Sequence, residues 1–263
     1  MRPKSDSLIL EKNQFMRVVV SVQVRMGSER LPGKVMRCFD GKPMIWHLVN
    51  RLKQCKELDE VVVATGQSVE NDVVESFCQS EGIICYRGSD EDVLDRLLGS
   101  LRSQETDVGV VVYGDNPLID PAIVDQHVKC FREKTTYDWI GNDLKTTFPP
   151  GMEVEVFCLK ALTDSASRAV APSIREHGTL FIRQNPSIYR LHNVEAHGIL
   201  RRPDIHLGVD TLEDAEVLEV VIDHFGRGHT CPLERILEFM DQHPELIQKN
   251  RNVPRRWREY REG

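Results

Sequence analysis

Val18-Val19-Val20-Ser21-Val22, followed by Gln23-Val24-Arg25-Met26-Gly27-Ser28-Glu29-Arg30-Leu31-Pro32-Gly33-Lys34, is the stretch that decides the fold. The apolar, β-branched run predicts a strand that is buried on both faces. An amphipathic helix is predicted at 43–52, so the order is strand, loop with three cations, helix. Such a loop can direct backbone N–H groups at an anion while Arg25, Arg30 and Lys34 surround it. This chemistry suits the triphosphate of a nucleotide, and the alternative is a tight turn with solvated arginines.

The rest of the first half alternates between strand-like runs and helical patterns. Strands are predicted at 60–65, 83–86 and 108–113, and helices at 69–80, 90–103 and 121–133. This order predicts an α/β fold with a mainly parallel sheet and helices on both faces. The loops that follow the strands then meet at one edge of the sheet, where ligands bind in such folds.

The second half is less regular. A period-two pattern predicts a half-buried strand at 152–157, after the turn Pro149-Pro150-Gly151. Further elements are predicted as a helix at 173–184, a short strand end at 207–210 and a helix at 211–224. We expect one main domain at 16–230, an N-terminal extension at 1–15 and a C-terminal helical tail at 231–263.

The composition of the 263-residue chain limits the classes of function. It is 40% hydrophobic and 29% charged, which allows a sizeable core, and its net charge of −7 argues against nucleic acid as a partner. The sequence has no apolar run of membrane-spanning length and no signal-peptide pattern, so we expect no membrane partner. Seven scattered cysteines without a C-x-x-C pair indicate reduced thiols in a cytoplasmic protein. The basic cluster at 251–261 is expected to be a solvated end.

Two aspartates stand where a divalent cation would be needed beside a triphosphate. Asp115 directly follows a predicted strand, and Asp210 ends a short apolar run. Helix capping can be left to other residues, because Asp120 precedes the next helix and Thr211 with Asp214 has capping-box spacing. Carboxylate oxygens suit Mg²⁺, so the sequence predicts a magnesium site at Asp115 and Asp210, with helix capping as the alternative.

The loop as a whole resembles the signature of the sugar nucleotidyltransferases, in particular the cytidylyltransferases that make CMP-activated sugar acids. Those enzymes have a loop of the form R-x-x-S-x-R-L-P-G-K and then G-K-P-M/L-I, which Gly41-Lys42-Pro43-Met44-Ile45 completes here. The resemblance runs over roughly residues 17 to 225 and includes a branch of spore-coat polysaccharide biosynthesis proteins. It implies a nucleotide-diphospho-sugar-transferase-like (Rossmann-like) fold with a dimerisation extension, CTP as co-substrate and Mg²⁺ as cofactor.

The same resemblance implies roles for individual residues. Arg25, Lys34, Asp115 and Asp210 would be catalytic, and the two aspartates would be the metal ligands. The nucleotide-binding residues would be Gln23, Arg25, Gly27, Ser28, Arg30, Gly33, Lys34, Ala64, Arg87, Ser89 and Asp115. Gly66-Gln67 departs from the Thr or Asp that is usual after Ala-Thr, so the contacts to the base match the family less closely.

An acceptor pocket is implied in the second half of the chain. Arg175-Glu176-His177 resembles the R-E-H motif of the spore-coat branch. With Asn142, Glu153 and Glu155, these residues would line a pocket for a sugar or sugar acid, within acceptor and dimerisation elements at about 140–205. The alternative for His177 is an ordinary exposed helix residue.

Three other polar positions are interpreted from their spacing. His47 lies in an apolar-patterned helix and is interpreted as a packing residue. Asp95 and Arg96 are either a surface pair or part of the segment that lines the nucleotide site.

A homodimer is also expected. Strands such as 152–157 pair across a two-fold axis in related cytidylyltransferases, and an exposed edge carrying Met152, Val154 and Val156 would need to be covered. The alternative is that this strand is covered within its own chain. The function expected is transfer of a cytidylyl group from CTP to a sugar or sugar acid. A glycosyltransferase of the same fold and a non-catalytic nucleotide-binding protein remain alternatives.

Overall fold

The computed structural model describes residues 16–134, 136–226 and 231–255, in which the chain forms nine strands and ten α-helices. The strands are β1 (Val18–Gln23), β2 (Cys38–Phe39), β3 (Lys42–Pro43), β4 (Glu60–Gly66), β5 (Ile84–Gly88), β6 (Val108–Tyr113), β7 (Trp139–Gly141), β8 (Glu155–Cys158) and β9 (Leu191–Asn193). The helices are α1 (Met44–Leu52), α2 (Asp72–Ser80), α3 (Val93–Arg102), α4 (Pro121–Glu133), α5 (Leu159–Arg168), α6 (Pro172–Arg175), α7 (Leu180–Gln184), α8 (Leu212–Phe225), α9 (Leu233–Gln242) and α10 (Pro244–Arg251). Short 3-10 helices lie at Lys34–Met36, Val69–Asn71 and Gly198–Leu200.

Seven of these strands form one sheet in the order β5-β4-β1-β6-β8-β7-β9, and β2 pairs with β3 separately. The pairs β5–β4, β4–β1, β1–β6 and β7–β9 are parallel. Only β8 runs antiparallel to its two neighbours in the sheet, as far as the described residues extend. The predicted α/β class with a mainly parallel sheet is confirmed.

Both faces of the sheet are covered by hydrophobic cores, and alternate side chains of β1 point into the two cores. Val18, Val20 and Val22 belong to one core, with side chains of α1 and α4, and Val19 belongs to the other, with side chains of α3. All four valines are 0% exposed. A strand buried on both faces needs a continuous apolar run, which is the pattern that the sequence shows.

The expectation of an uncovered strand edge at 152–157 is wrong. The strand is shorter than predicted, and β8 lies between β6 and β7 in the interior of the sheet. Met152, Val154 and Val156 are each 0% exposed within the single chain. Their apolar side chains therefore pack in their own core and leave nothing for a partner subunit to cover at this position.

Two other predictions for the second half need correction. The helix expected at 173–184 is two short helices, α6 and α7, and Gly178 between them has a positive φ of 41° that favours glycine. The strand end expected at 207–210 is an irregular connection outside the sheet. It is held by the N–H groups of Leu207 and Val209, which donate to Pro150 O (2.7 Å) and Asp115 O (2.8 Å).

The helices that follow residue 230 share the core of the sheet. Leu233, Ile236 and Met240 of α9 are at most 1% exposed and belong to the same cluster as Val18. None of the described helices has both the length and the apolar character needed to cross a membrane.

Candidate active site

A cavity of ≈ 310 Å³ opens at the carboxyl ends of the central parallel strands. Gln23 and Tyr113, the last residues of β1 and β6, form part of its floor. Of the predicted nucleotide-binding residues, six line this cavity: Gln23, Arg25, Ser28, Arg30, Lys34 and Asp115. The position agrees with the rule that ligands bind beyond the carboxyl ends of parallel strands, and the size is at the lower end for small-molecule sites.

The loop after β1 owes its shape to tight internal hydrogen bonds and to one glycine. Met26 O accepts hydrogen bonds from the N–H groups of Ser28 (2.8 Å) and Gly33 (3.0 Å). Gly33 has a φ of 69° and precedes the 3-10 helix that starts at Lys34. A residue with a Cβ is strained in this left-handed conformation, so Gly33 shapes the loop although its own atoms do not line the cavity.

Lys34 brings the two predicted metal aspartates together. Its Nζ lies 3.2 Å from Asp115 Oδ2 and 3.6 Å from Asp210 Oδ1, and it donates a hydrogen bond to Val209 O at 2.7 Å. The N–H of Val209 in turn donates to Asp115 O. Two carboxylates that are distant in the sequence therefore face the same point beside the cavity, with one ammonium between them.

Asp210 is surrounded by cations, whereas its neighbour Asp214 is fully bonded. Arg30 Nη2 lies 2.8 Å from Asp210 Oδ1, and Arg255 Nη1 lies 3.7 Å from Asp210 Oδ2. Asp214 accepts hydrogen bonds from the N–H groups of Asp210 and Thr211, both at 3.0 Å, as the capping box predicts. Burial alone would raise the pKa of Asp214, but hydrogen bonds from Arg255 and nearby positive charge lower it.

A second cluster of possible metal ligands lies near this point, but it does not suit a metal ion. His206, Asp210 and Asp214 each offer one ligand atom, and these atoms lie within 4.8 Å of one another. However, the guanidinium of Arg255 already neutralises Asp214, with both nitrogens at 2.8 Å from its oxygens.

The pair formed by Asp115 and Asp210 fits a magnesium ion better. Their carboxylates are partly exposed, at 33% and 16%, and border the cavity. Lys34 contacts both carboxylates and Arg30 contacts Asp210, and both cations line the cavity, where a phosphate can take them as partners. Carboxylate oxygens beside a phosphate site are the donor set that Mg²⁺ prefers.

Arg96 is a site residue that the sequence left undecided, and the surface-pair alternative is wrong for it. The residue is 2% exposed and lines the cavity. Its Nε donates to Gln23 Oε1 at 3.0 Å and its Nη1 to Ser89 O at 2.7 Å. Burial and the nearby charge of Arg25 lower the pKa of Arg96 to about 10. The available signal is its spacing of three residues after Val93, which places it on the buried side of α3.

Glu176 and His177 reach the far side of the cavity, but Arg175 does not. His177 is partly buried, and this burial lowers its pKa. Glu176 lies 3.8 Å from Arg25, which links the two walls of the cavity. Arg175 turns away, donating from Nε to Asp92 at 2.6 Å and from Nη1 to the carbonyl of Ala169 at 2.9 Å. Its contacts fix α6 against the start of α3.

The other predicted acceptor residues lie outside the cavity lining and bond within the fold. Asn142 donates to Met152 O at 2.7 Å and accepts from the N–H of Val154 at 3.0 Å. Glu153 accepts from the N–H of Gly151 at 2.9 Å. Glu155 is 1% exposed and accepts hydrogen bonds from Trp139 and Thr179, and burial raises its pKa.

The other five predicted nucleotide-binding residues lie outside the lining. These are Gly27, Ala64, Arg87 and Ser89, together with Gly33 as described above. Arg87 pairs with Glu75 at 2.7 Å and donates to Gly66 O at 2.6 Å. Ser89 Oγ accepts from the N–H of Asp92 at 3.0 Å, and Ala64 is 0% exposed. In this structure Arg87 and Ser89 therefore bond within the fold.

The unusual Gly66-Gln67 pair has a local explanation. A Cβ on Gly66 would lie 1.8 Å from Asp90 Oδ1, so only glycine leaves room for this carboxylate. Asp90 accepts hydrogen bonds from the N–H groups of Gln67 (3.2 Å) and Ser68 (3.0 Å). These two donors are therefore occupied by the protein itself and are not free for a base.

Two further predictions are confirmed, and one is corrected. Asp120 caps α4 by accepting from the N–H of Ala122 at 2.8 Å. His47 is 6% exposed and its Nε2 bonds to Phe39 O at 2.8 Å, as expected of a packing residue. The solvated basic end is wrong for Arg255, whose side chain is 5% exposed, and residues 256–261 lie outside the described residues.

Comparison with known proteins gives one consistent answer. The cytidylyltransferase family matches residues 19–252. The chain is 32% identical over 234 residues to the spore coat polysaccharide biosynthesis protein SpsF of Bacillus subtilis, which covers 87% of this chain and 95% of that protein. The structure of a cytidylyltransferase from Leptospira borgpetersenii matches with a TM-score of 0.84 and 29% identity, over 91% of this chain and 99% of that one.

A more distant solved structure shares the fold. It is the CMP:2-keto-3-deoxy-manno-octonic acid synthetase in complex with CTP, with a TM-score of 0.61 and 21% identity over 79% of this chain and 99% of that one. The family match spans most of the residues of the chain, including the cationic loop, both aspartates and the helices that follow them. This chain therefore belongs to the cytidylyltransferase family of nucleotidyltransferases.

Proposed function

We propose that this protein transfers a cytidylyl group from CTP to an oxygen of a sugar or sugar acid, giving a CMP-linked sugar and pyrophosphate. The observation that carries the proposal is the position of Lys34 between Asp115 and Asp210 at the edge of the cavity. This arrangement suits a complex of magnesium with a triphosphate. The two carboxylates can bind the cation, and the ammonium can contact the negative phosphate oxygens. Membership of the family supports the same reaction.

The reaction replaces one phosphorus–oxygen bond by another. The hydroxyl oxygen of the acceptor attacks the α-phosphorus of CTP and releases its proton to the solvent, the bond from this phosphorus to the bridging oxygen breaks, and pyrophosphate leaves. Arg25 and Lys34 stabilise the negative charge that grows on the leaving group, and both line the cavity. Arg96 adds a buried positive charge that favours an anionic ligand.

Asp115 and Asp210 would hold the magnesium ion. When bound, Mg²⁺ supplies neutralisation of the phosphate charge and a lower pKa for the attacking hydroxyl group. The remaining contribution of the protein is positioning, because an in-line attack requires the acceptor and the triphosphate to be held in one geometry. Glu176 and His177 lie opposite the cationic loop and are proposed to contact the acceptor.

The choice of base is the finer part of the proposal and is supported by the family. A donor or acceptor left unpaired by the wrong base costs about 1–3 kcal/mol, which is enough to separate CTP from UTP. The N–H groups of Gln67 and Ser68 are bonded to Asp90, so the base contacts are expected from other groups around the cavity.

A cytoplasmic location belongs to the same proposal. The scattered cysteines support it, since their pattern is that of reduced thiols. The acceptor is left as a class, a sugar or sugar acid for a surface polysaccharide or glycan, because no residue of the cavity has a unique chemical partner among sugars.

The experiment is pyrophosphate release from each of the four nucleoside triphosphates with a panel of sugars and sugar acids, with the product identified by mass spectrometry. We expect release with CTP, a CMP-linked product, and slower release with UTP, ATP and GTP. Equal release from CTP and UTP would reject the base choice. Transfer of a sugar from a nucleotide-sugar instead would favour the glycosyltransferase alternative, and binding without any turnover would favour the non-catalytic one.

A further inference from the structure

The segment 250–255 enters the site from the C-terminal end of the described chain. The side chain of Arg255 is 5% exposed, and its two terminal nitrogens each donate to one oxygen of Asp214 at 2.8 Å. Asp214 is itself 0% exposed. A two-point contact between a guanidinium and a carboxylate fixes both partners in direction as well as in distance. The contact is therefore a rigid attachment and not a surface ion pair.

Three more hydrogen bonds tie the same segment to the site. Asn250 Nδ2 donates to Asp214 Oδ1 at 2.9 Å and to His206 O at 3.1 Å. Arg30 of the cationic loop donates from Nη1 to Pro254 O at 3.1 Å, while its Nη2 lies 2.8 Å from Asp210. The segment thus contacts both the loop after β1 and the acidic start of α8.

Asp214 links Arg255 to the backbone of Asp210 through one shared oxygen. The Asp214 Oδ2 that accepts from Arg255 also accepts from the backbone N–H of Asp210 at 3.0 Å. Arg255 lies 3.7 Å from the Asp210 carboxylate itself. Without the guanidinium, Asp214 would be a buried carboxylate with an unmatched charge, and the acceptor that holds the backbone N–H of Asp210 would be less firmly fixed.

We propose that Arg255 is a positioning residue for Asp210: it holds the second metal carboxylate in place through Asp214. The inference rests on the proposed function, because it assigns Asp210 to the metal. In this proposal the segment 250–255 contributes to metal binding by holding Asp210 in place. Residues that support metal ligands from behind commonly change metal affinity by about 10- to 100-fold when they are replaced.

The test compares Arg255→Gln, Arg255→Lys and the control Arg251→Gln in the full chain. Arg251 lies at the end of the same helix, α10, and is exposed. Mn²⁺ serves as the metal probe, and its binding is followed by loss of the free-ion signal in electron paramagnetic resonance, with and without CTP. Turnover of CTP is measured separately, as kcat and as the Mn²⁺ concentration for half-maximal rate. Thermal unfolding reports whether each variant folds.

We expect Arg255→Gln to weaken Mn²⁺ binding by about 10-fold or more and to lower kcat, with the KM for the acceptor little changed. Arg255→Lys restores charge without the two-point contact, so it should recover part of the affinity. Arg251→Gln should match the wild type. If Arg255→Gln does not fold, intermediate Mn²⁺ affinity in Arg255→Lys supports the proposal, and wild-type affinity in it overturns the proposal.

Other outcomes separate this inference from the proposed function. Mn²⁺ affinity unchanged in a folded Arg255→Gln variant overturns the positioning role, even if the melting temperature falls. A wild type that binds no Mn²⁺ overturns it as well. A wild type that binds Mn²⁺ but releases no pyrophosphate from any nucleoside triphosphate rejects the proposed function alone, and the difference in Mn²⁺ affinity still decides the role of Arg255.

Discussion

Single residues account for the electrostatics of the site. Lys34 is the residue that makes two carboxylates compatible at one point, since its ammonium lies within 4 Å of both. Two neighbouring carboxylates repel each other, so the same lysine stabilises the pair and is also placed to contact the leaving group of a triphosphate. This dual use predicts a distinct result for its removal.

Lys34→Met should lower both CTP affinity and turnover. The substitution keeps the length of the side chain but removes the charge that faces the leaving pyrophosphate, so we expect turnover to fall by about 100-fold or more. Calorimetry with CTP and pyrophosphate release measure the two effects. The exposed Lys53→Met is the matched control. Unchanged CTP affinity together with unchanged turnover would favour the alternative that the loop is a tight turn without a role in binding the triphosphate.

At the scale of elements, the first half of the fold was predictable because its signals are local. The valine run of β1 and the alternation that gives β4, α2, β5, α3, β6 and α4 are present in the sequence within short windows. The antiparallel β8 was misjudged because its partners, β6 and β7, are chosen by packing and not by its own pattern. The break between α6 and α7 depends on the left-handed conformation of Gly178. A single glycine within a helical pattern is not enough to predict that conformation from the sequence.

The site was predictable only where its residues follow predicted strands or apolar runs. Lys34 and Asp115 lie in the loops after β1 and β6, so their meeting at one sheet edge follows from topology. Asp210 follows an apolar run that is not a strand of the sheet, and the hydrogen bond from the N–H of Val209 to Asp115 O brings it to the same edge. The contact of Arg255 with Asp214 joins segments that are far apart in the sequence, and no spacing rule links them. Arg87 and Glu155 carry the right chemistry, but they are engaged by Glu75 and Thr179 inside the fold.

Gly66→Ala tests the element that holds the end of β4. The added Cβ would lie 1.8 Å from Asp90 Oδ1, so the carboxylate must leave its hydrogen bonds to Ser68. We expect a loss of about 1–3 kcal/mol in the free energy of unfolding, measured by urea denaturation. Gly27→Ala is the control, because its Cβ would meet only the end of Glu70, at 3.1 Å, and should change stability little. Equal stability of both variants would contradict this account.

At the scale of the whole molecule, assembly stays a prediction. The argument from an exposed strand has failed, because Val154 and Val156 are 0% exposed inside one chain. The homodimer is still expected from the family resemblance, and light scattering at micromolar concentration should give twice the chain mass of 30.1 kDa. Val154→Asp buries an unpaired charge and should unfold the protein, so it is no test of the interface. A monomer mass for the wild type would reject the dimer.

Acid stability is a second property of the whole molecule. His127 is 0% exposed, its Nδ1 bonds to Ile123 O at 2.7 Å, and burial lowers its pKa to about 4. Between about pH 6.5 and about pH 4 the unfolded state binds a proton that the folded state does not, so stability falls as the pH falls through this window.

His127→Gln should reduce this acid sensitivity. From about pH 7 to about pH 5 the wild type is expected to lose about 2 kcal/mol more of its unfolding free energy than the variant loses. Urea denaturation at the two pH values measures it, with the exposed His197→Gln as control. An equal pH dependence in wild type and His127→Gln would show that His127 does not titrate in this way.

The most direct test of the central claim is pyrophosphate release from CTP by Asp115→Asn and Asp210→Asn, with Asp204→Asn as the control. Each change keeps the size of the side chain and removes one anionic metal ligand, and Asp204 pairs with Arg202 outside the cavity. The account predicts that both site variants fold but lose turnover by about 100-fold or more at low millimolar Mg²⁺, while Asp204→Asn retains it. Near-normal turnover in both site variants would contradict the assignment of this site to nucleotidyl transfer.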